Sequence, residues 1–174
     1  MHGKTAIMEK IRRDIVSLSP SVTERIAAQL GAQLVQGDTV LLSGPVGAGK
    51  SHFARALIQS RLARLGRQED VPSPTFTLVQ SYDLDDVELW HADLYRLSDT
   101  YEVVELGLEQ AFEEAICLVE WPERLGDLAP AEALHLSLGA GDGPEARMLS
   151  FSGSSSRWRS VLDALDPNSG GGRV

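Results

Sequence analysis

A glycine-rich segment at residues 44–51 limits the folds open to this chain more than any other part of its sequence. It reads Gly-Pro-Val-Gly-Ala-Gly-Lys-Ser and fits the spacing G-x-x-x-x-G-K-[ST]. The apolar and β-branched residues 39–43 precede it and predict a buried strand. Apolar residues then recur at helical spacing from Phe53 to Leu62. A strand, a glycine loop and a helix in this order predict a phosphate-binding P-loop.

The residue types in this loop match the chemistry of a nucleotide. Backbone N–H groups of a glycine-rich turn form an anion-binding concavity, and the following helix adds its dipole. Lys50 is the only lysine beyond residue 10, where every other cation is an arginine, and its ammonium is predicted to reach the β- and γ-phosphates. The Ser51 hydroxyl is predicted to ligate Mg²⁺. The predicted ATP-binding residues are Gly44, Pro45, Val46, Gly47, Ala48, Gly49, Lys50, Ser51 and His52.

Length and composition predict a single domain. The 174 residues are 43% hydrophobic, and residues 1–166 are expected to form one P-loop ATPase domain. Residues 167–174 are rich in Gly and Ser and are expected to be a disordered tail. Neither a signal sequence nor a membrane-spanning stretch is visible, so a cytoplasmic protein without membrane contact is expected. Cys117, in an apolar run, is expected to be a buried hydrophobe without a redox role.

The net charge of the chain argues against direct, strong binding of nucleic acid. Its formal net charge is -9, whereas a protein that holds RNA by itself needs a basic face. Four arginines cluster on the helix after the loop and are interpreted as solvated surface: Arg55, Arg61, Arg64 and Arg67.

The remaining pattern alternates helices and strands. A capping box at residues 21–24 predicts a helix that runs to Leu34, and two prolines force residues 72–75 to be extended. Strands are predicted at 75–82, 87–93 and 115–121, a closing hairpin at 134–138 and 147–151, and helices at 100–106, 109–114 and 158–165. This order predicts an α/β fold of the P-loop NTPase type, a three-layer sandwich with a mixed central sheet flanked by helices.

Two acidic residues are candidates for the metal side of the site. Glu120 ends an apolar strand, which is how a buried strand delivers a carboxylate beside the loop's magnesium. Asp93 ends another strand and is predicted to hold a metal-bound water or to orient the attacking water. An exposed acid at a strand end is the alternative for both. His91 alone is interpreted as structural.

Four segments, in order, resemble the TsaE family, the small bacterial ATPase needed for threonylcarbamoyl modification of adenosine in the anticodon loop of tRNAs that read ANN codons. They are residues 44–51, Ser-Pro-Thr-Phe-Thr-Leu-Val at 73–79, His-Ala-Asp-Leu-Tyr-Arg-Leu at 91–97 and Leu-Val-Glu-Trp-Pro-Glu at 118–123. The first segment alone indicates only a P-loop protein, whereas the other three are specific in combination. The likeness spans about residues 17 to 150.

The resemblance implies roles for individual residues. It implies that the loop binds ATP, that Ser51 and Glu120 hold Mg²⁺, and that Ser73 and Thr75 form a switch-like segment near the γ-phosphate. It also implies a functional role for Asp93, a place near the adenine for Thr23, and a nucleotide contact from the closing hairpin, for which Arg147 fits best. The implied partners are TsaB and TsaD, which carry out the modification, so that tRNA is met only indirectly.

The chain departs from the family pattern at the loop, and other functions stay open. The family usually has Asp-Leu where this chain has Pro45 and Val46, and Thr-Thr where it has Ser51 and His52. Serine keeps the metal-binding oxygen, while the loss of the acid at position 45 could alter turnover or partner contacts. The alternatives are a small-molecule P-loop kinase, for which no arginine-rich lid is visible, and a non-catalytic nucleotide-gated assembly module.

Overall fold

The computed structural model describes residues 10–169, which form a seven-stranded sheet with helices packed on it. The elements are β1 (Ile11–Ser17), α1 (Pro20–Gln33), β2 (Thr39–Ser43), α2 (Lys50–Arg64), β3 (Val79–Asp83), β4 (Glu88–Asp93), α3 (Thr100–Glu105), α4 (Leu108–Glu114), β5 (Ile116–Glu120), β6 (Leu134–Ala140), β7 (Arg147–Gly153) and α5 (Arg157–Asp163). A 3₁₀ segment, Pro122–Leu128, follows β5.

The sheet is mixed, with the order β1-β7-β6-β2-β5-β4-β3. Strand β2 pairs in parallel with both β5 and β6, and β5 pairs in parallel with β4. The outer pairs β1–β7, β6–β7 and β3–β4 are antiparallel. The carboxyl ends of β2, β5 and β4 therefore lie side by side, which is where ligands bind in open α/β sheets.

Side chains that alternate along the strands divide the core into two layers. Val40 and Leu42 of β2 pack with α1, α2 and α5, whereas Leu41 between them packs with α3 and α4. Strand β5 divides in the same way, since Leu118 joins the first cluster and Cys117 the second. The sheet thus lies between two helical layers, and the predicted α/β three-layer architecture is confirmed. Burial raises the pKa of the Cys117 thiol to about 12, so the group stays protonated, as expected of a buried hydrophobe.

The first helix begins earlier than the capping box at residues 21–24 predicted. Ser19 is the N-cap, and its side chain accepts a hydrogen bond from the Val22 N–H at 3.3 Å. Pro20 occupies the first helical turn, where its missing N–H costs nothing. Because serine and proline in this order satisfy the helix end, the competing serine at position 21 lies inside the helix.

The strand predicted to begin at Thr75 is also wrong at its start, because residues 74–77 form a turn and β3 begins only at Val79. The Leu78 N–H donates to the Pro74 carbonyl at 2.7 Å, and Leu78 has a positive φ of 69°. Residues 74–77 are therefore a hydrogen-bonded turn that leads into the edge strand. Strand β1 and the 3₁₀ segment were not predicted at all.

The C-terminal helix α5 packs into the larger core cluster. Trp158 is fully buried, and its indole N–H donates to the Glu132 carbonyl at 2.7 Å. Arg157 pairs with Asp38 at 2.7 Å, which fixes α5 beside the start of β2. Residues 167–169 form a turn in which Ser169 bonds Gln29 of α1 at 2.7 Å. The rest of the expected tail, residues 170–174, lies outside the described residues.

Candidate functional site

The glycine loop joins the carboxyl end of β2 to the first turn of α2, as the sequence predicts. Gly44, Gly47 and Gly49 have φ angles of 145°, 83° and 104°, all in the left-handed region that favours glycine. A Cβ atom at Gly44 would lie 2.5 Å from the Leu138 carbonyl oxygen. The backbone of β6 therefore sits too close to position 44 for any side chain.

Replacing Gly44 with alanine is expected to lower the free energy of unfolding by about 1–3 kcal/mol, because alanine at this φ is strained and its methyl group meets a backbone oxygen. Urea denaturation would measure the loss. Gly139→Ala is the matched control, since Gly139 lies one residue beyond Leu138 and a Cβ there meets nothing within 4 Å. Equal stability of the two variants would refute the close approach.

Lys50 is buried at the mouth of this loop. Its Nζ donates to the carbonyls of Gly44 and Pro45 at 2.6 and 3.0 Å and lies 4.3 Å from the ring centre of Trp121. Trp121 in turn contacts Tyr95, with ring centroids 4.9 Å apart. The described contacts of the ammonium include no carboxylate, which leaves its charge available to an anion.

Ser51, Glu120 and His91 form a chain of hydrogen bonds from α2 across β5 to β4. The Ser51 hydroxyl donates to Glu120 Oε1 at 2.8 Å, and His91 Nε2 lies 2.7 Å from Glu120 Oε2. Glu120 is only 2% exposed, so the alternative of an exposed strand-end acid is wrong for this residue. Both of its oxygens are held, and one of them faces the hydroxyl that follows the loop lysine.

Asp93 is also buried, at 5% exposure, and lies opposite Glu120 in the parallel register of β4 and β5. The Tyr95 N–H donates to Asp93 Oδ1 at 3.0 Å, and the Thr75 hydroxyl donates to Asp93 Oδ2 at 3.4 Å. The Ser73 and Thr75 hydroxyls are 2.8 Å apart. Residues 73–77 are thus connected by hydrogen bonds to Asp93 at the end of β4.

These residues line a cleft of about 390 Å³ at the carboxyl ends of the strands. Its walls include nine predicted residues and two aromatic ones that sequence reasoning missed, Tyr95 and Trp121. The predicted ones are Val46, Gly47, Gly49, Lys50, Ser51, His52, Thr75, Asp93 and Glu120. Ser73 contacts Thr75 through its hydroxyl without lining the cleft itself. The backbone carbonyls of Gly44 and Pro45 accept hydrogen bonds from Lys50.

A smaller cavity of about 250 Å³ lies on the other side of the loop. Thr23, Ala48 and Arg147 line it, and Gly49 and His52 line both cavities. The Thr23 hydroxyl is 2.6 Å from that of Ser17. Arg147 donates from Nε to the Ala48 carbonyl at 3.1 Å, which ties the closing hairpin to the loop.

His52, at the position where the family usually has threonine, approaches α1. Its Nε2 lies 3.6 Å from Glu24 Oε1, a pairing that is charged only when the imidazole is protonated. The side chain therefore sits at the junction of the two cavities and beside the first helix.

The donor set fits a magnesium ion. A serine hydroxyl and the carboxylates of Glu120 and Asp93 are hard oxygen ligands, which Mg²⁺ prefers. Within residues 10–169, no group of three or more His, Cys, Asp or Glu side chains is arranged to hold a metal alone. That is expected of Mg²⁺, which binds through one or two carboxylates together with substrate phosphates.

All four clustered arginines on and after α2 donate to backbone carbonyls, Arg64 Nη1 to that of Ala32 at 3.5 Å. Arg61 Nη1 donates to Gly31 and Leu34 at 2.8 Å each, and Arg55 Nε donates to Val71 at 3.1 Å. Arg67 donates to the Asp83 carbonyl and to Glu69. Burial and the neighbouring Arg64 lower the pKa of Arg61. These contacts hold α2 to its surroundings and differ from the free basic face that RNA binding requires.

The mixed sheet, the loop between β2 and α2, and the buried carboxylate on β5 define an α/β protein of the P-loop NTPase type. Comparison with known proteins narrows this class. The family model described as threonylcarbamoyl adenosine biosynthesis protein TsaE matches residues 17–148. The chain belongs to the TsaE family, and the resemblance at about residues 17 to 150 is confirmed.

Individual relatives agree with this assignment. A tRNA threonylcarbamoyladenosine biosynthesis protein TsaE from Rickettsia bellii is 34% identical over 131 residues, covering 75% of this chain and 89% of the relative. The Bacillus subtilis protein of the same name is 32% identical over 151 residues, covering 86% and 90%. A crystal structure of YdiB from the same organism superposes with a TM-score of 0.73 at 26% identity, covering 90% of this chain and 95% of that one. None of the helices described for residues 10–169 is long and apolar enough to cross a membrane.

Proposed function

We propose that this chain binds and hydrolyses ATP and thereby serves tRNA threonylcarbamoyladenosine biosynthesis together with a TsaB–TsaD complex. The observation that carries the proposal is the hydrogen bond between Ser51 and Glu120, which places a carboxylate at the end of the phosphate loop. The curated relatives are named for the same biosynthesis, which supports the role.

The phosphate end of the nucleotide lies over the loop. Backbone N–H groups of Val46, Gly47 and Gly49 and the first turn of α2 bind the anion, and Lys50 exchanges its carbonyl partners for phosphate oxygens. Because Lys50 is only 5% exposed, its attraction to phosphate is weakly screened by solvent. Trp121 and Tyr95 line the side of the cleft beside Lys50.

Ser51 and Glu120 hold the magnesium ion that accompanies the nucleotide. Bound there, the ion would supply positive charge against the phosphate oxygens. Asp93, with Thr75 and Ser73 beside it, holds the attacking water by accepting its hydrogen bond. Asp93 Oδ2 has only the long 3.4 Å contact from Thr75 in the described chain, so it has acceptor capacity left for water.

The adenosine end occupies the cavity beside the loop. Its apolar wall is formed by Pro20, Ala48 and Leu138, and its polar edge by Thr23, His52 and Arg147. Arg147 already bonds the loop at Ala48, so it supports the loop and the nucleotide from the same position. Pro45 and Val46 contribute loop backbone, and no acid from position 45 repels the phosphates.

The protein meets tRNA only through its partners and acts in the cytoplasm. The net charge of -9 disfavours direct binding of RNA, and arginines on α2 are engaged with carbonyls. Two other functions remain to be tested against this one. A small-molecule kinase would pass the γ-phosphate to a metabolite, and an assembly module would bind ATP to order residues 73–77 with little hydrolysis.

ATP hydrolysis by the isolated chain is expected to be slow and to rise when the TsaB–TsaD pair is added. The physical reason is that no arginine lines the larger cleft among the described residues, so charge on the transferred group is incompletely neutralised. Phosphate release measured with and without the pair tests this. Unchanged slow hydrolysis with tight, ATP-dependent association would favour the assembly module. Phosphorylation of an added metabolite would favour a kinase.

A further inference from the structure

His91 is a buried imidazole that contacts the one carboxylate on which the proposed metal site depends. Leu89, His91 and Asp93 alternate along β4 toward the α2 side of the sheet, and Leu118 and Glu120 do the same on β5. His91 lies opposite Leu118 in the register, two residues before the Asp93 and Glu120 pair. Its ring therefore extends along the strand direction and contacts the Glu120 carboxylate, which lies two residues nearer the carboxyl end of the strands.

The hydrogen bonds around His91 assign its proton. Nε2 is 2.7 Å from Glu120 Oε2, and Nδ1 is buried without a hydrogen-bond partner within residues 10–169. A proton on Nδ1 would be a buried donor with nothing to bind, whereas a bare Nδ1 leaves only a lone pair unmet. The arrangement with the fewest unmet donors has no proton on Nδ1 and an Nε2–H that donates to Glu120 Oε2.

Both carboxylate oxygens of Glu120 thereby accept a hydrogen bond. Oε2 accepts from His91 on the side of the sheet interior, and Oε1 accepts from Ser51 on the side of the loop. A glutamate without the first contact could rotate its carboxylate and withdraw Oε1 from Ser51. We propose that His91 is a positioning residue that fixes the Glu120 carboxylate toward the divalent cation, an inference that rests on the proposed metal role of Ser51 and Glu120.

If His91 only filled space in the core, its position would not require a side chain with hydrogen-bonding nitrogens. The neighbours of His91 on the same face of the strands, Leu89 and Leu118, belong to the apolar core. A leucine at position 91 would continue that core and leave no nitrogen without a partner. Hydrogen-bonded carboxylate ligands are a general device for orienting metal sites, and loss of the supporting group typically costs about 10–100-fold in metal affinity.

Mn²⁺ binding in the presence of ADP tests the proposal without any turnover. The electron paramagnetic resonance signal of free Mn²⁺ reports how much metal the protein–ADP complex takes up. His91→Leu, which has no donor, is expected to weaken Mn²⁺ binding about 10–100-fold. His91→Gln is expected to restore most of it, because the glutamine amide nitrogen stands as many bonds from Cα as His Nε2. His91→Asn places its nitrogen at the level of Nδ1 and is expected to bind as weakly as His91→Leu.

Leu89→Ala is the control for general damage, since it opens the same core cluster without touching the carboxylate. ADP affinity in EDTA and the melting temperature are measured for every variant. If Mn²⁺ binding in His91→Leu equals that of the wild type, or if Leu89→Ala weakens it equally, the positioning role is wrong. Should His91→Leu fail to fold, the difference between His91→Gln and His91→Asn decides. A wild-type chain that binds no ADP would instead overturn the proposed function, and a chain that binds ADP but no Mn²⁺ would overturn the metal role.

Discussion

Lys50→Ala is expected to lower kcat/KM for ATP by about 30-fold to several thousand-fold, which corresponds to the loss of one buried, hydrogen-bonded charge partner at about 2–5 kcal/mol. In the free protein the ammonium bonds two loop carbonyls and lies over Trp121. Its removal leaves phosphate charge without its buried cationic partner. Nucleotide titration calorimetry and phosphate release would measure the effect on binding and on turnover separately.

Two further variants sharpen the result. Lys50→Arg keeps the charge but replaces a compact ammonium with a planar fork, so it is expected to recover only part of the loss. Lys10→Ala removes an exposed lysine and is expected to leave ATP hydrolysis unchanged. If Lys50→Ala bound and hydrolysed ATP as the wild type does, residues 44–51 would not be the phosphate site.

Glu120→Gln is expected to reduce Mg²⁺-dependent hydrolysis at least about 100-fold while Mg²⁺-independent ADP binding survives. The amide is nearly the same size but carries no charge for the cation. Its amide offers only one acceptor oxygen, so either the NH₂ group faces Ser51 and the hydroxyl must turn to accept, or it faces the His91 Nε2 donor. The variant therefore disturbs at least one of the two contacts that hold the carboxylate.

Hydrolysis measured over a range of Mg²⁺ concentrations separates metal loss from loss of fold. The weakened variant should regain part of its activity at high Mg²⁺, whereas a misfolded one should not. Glu109→Gln makes the same substitution on the exposed first turn of α4 and is expected to have no effect. Wild-type hydrolysis in Glu120→Gln would contradict the metal assignment.

Local chemistry explains why some of this site could be predicted from sequence. Residues 39–43 were predicted as a strand with the observed bounds, because a short apolar run before a glycine loop has few other solutions. Glu120 could be proposed because it ends an apolar strand. The hydrogen bond between Glu120 and His91 could not be predicted from sequence. The two residues are 29 positions apart in the chain, and only the register of β4 against β5 brings them together.

The features that the sequence did not predict also depend on the tertiary fold or on local backbone geometry. Strand β1 was not predicted because it carries charged residues on its exposed side and gains its partners only from β7 at the far end of the chain. Trp121 was not predicted to line the cleft, because its position follows from a left-handed backbone at φ 59° directly after β5. Residues 75–77, which lie in the turn, were predicted as strand because the prolines before them signal extended backbone but do not show where strand pairing starts.

Multiple rounds of tRNA modification by a reconstituted TsaB–TsaD complex test the central claim most directly. The measurement is the amount of threonylcarbamoyladenosine formed per complex when the wild-type chain, Lys50→Ala or Glu120→Gln is supplied. If ATP hydrolysis at this site resets the complex, the wild-type chain should sustain repeated rounds, and both variants should stop after the first. Repeated rounds with either variant at the wild-type rate would contradict the account.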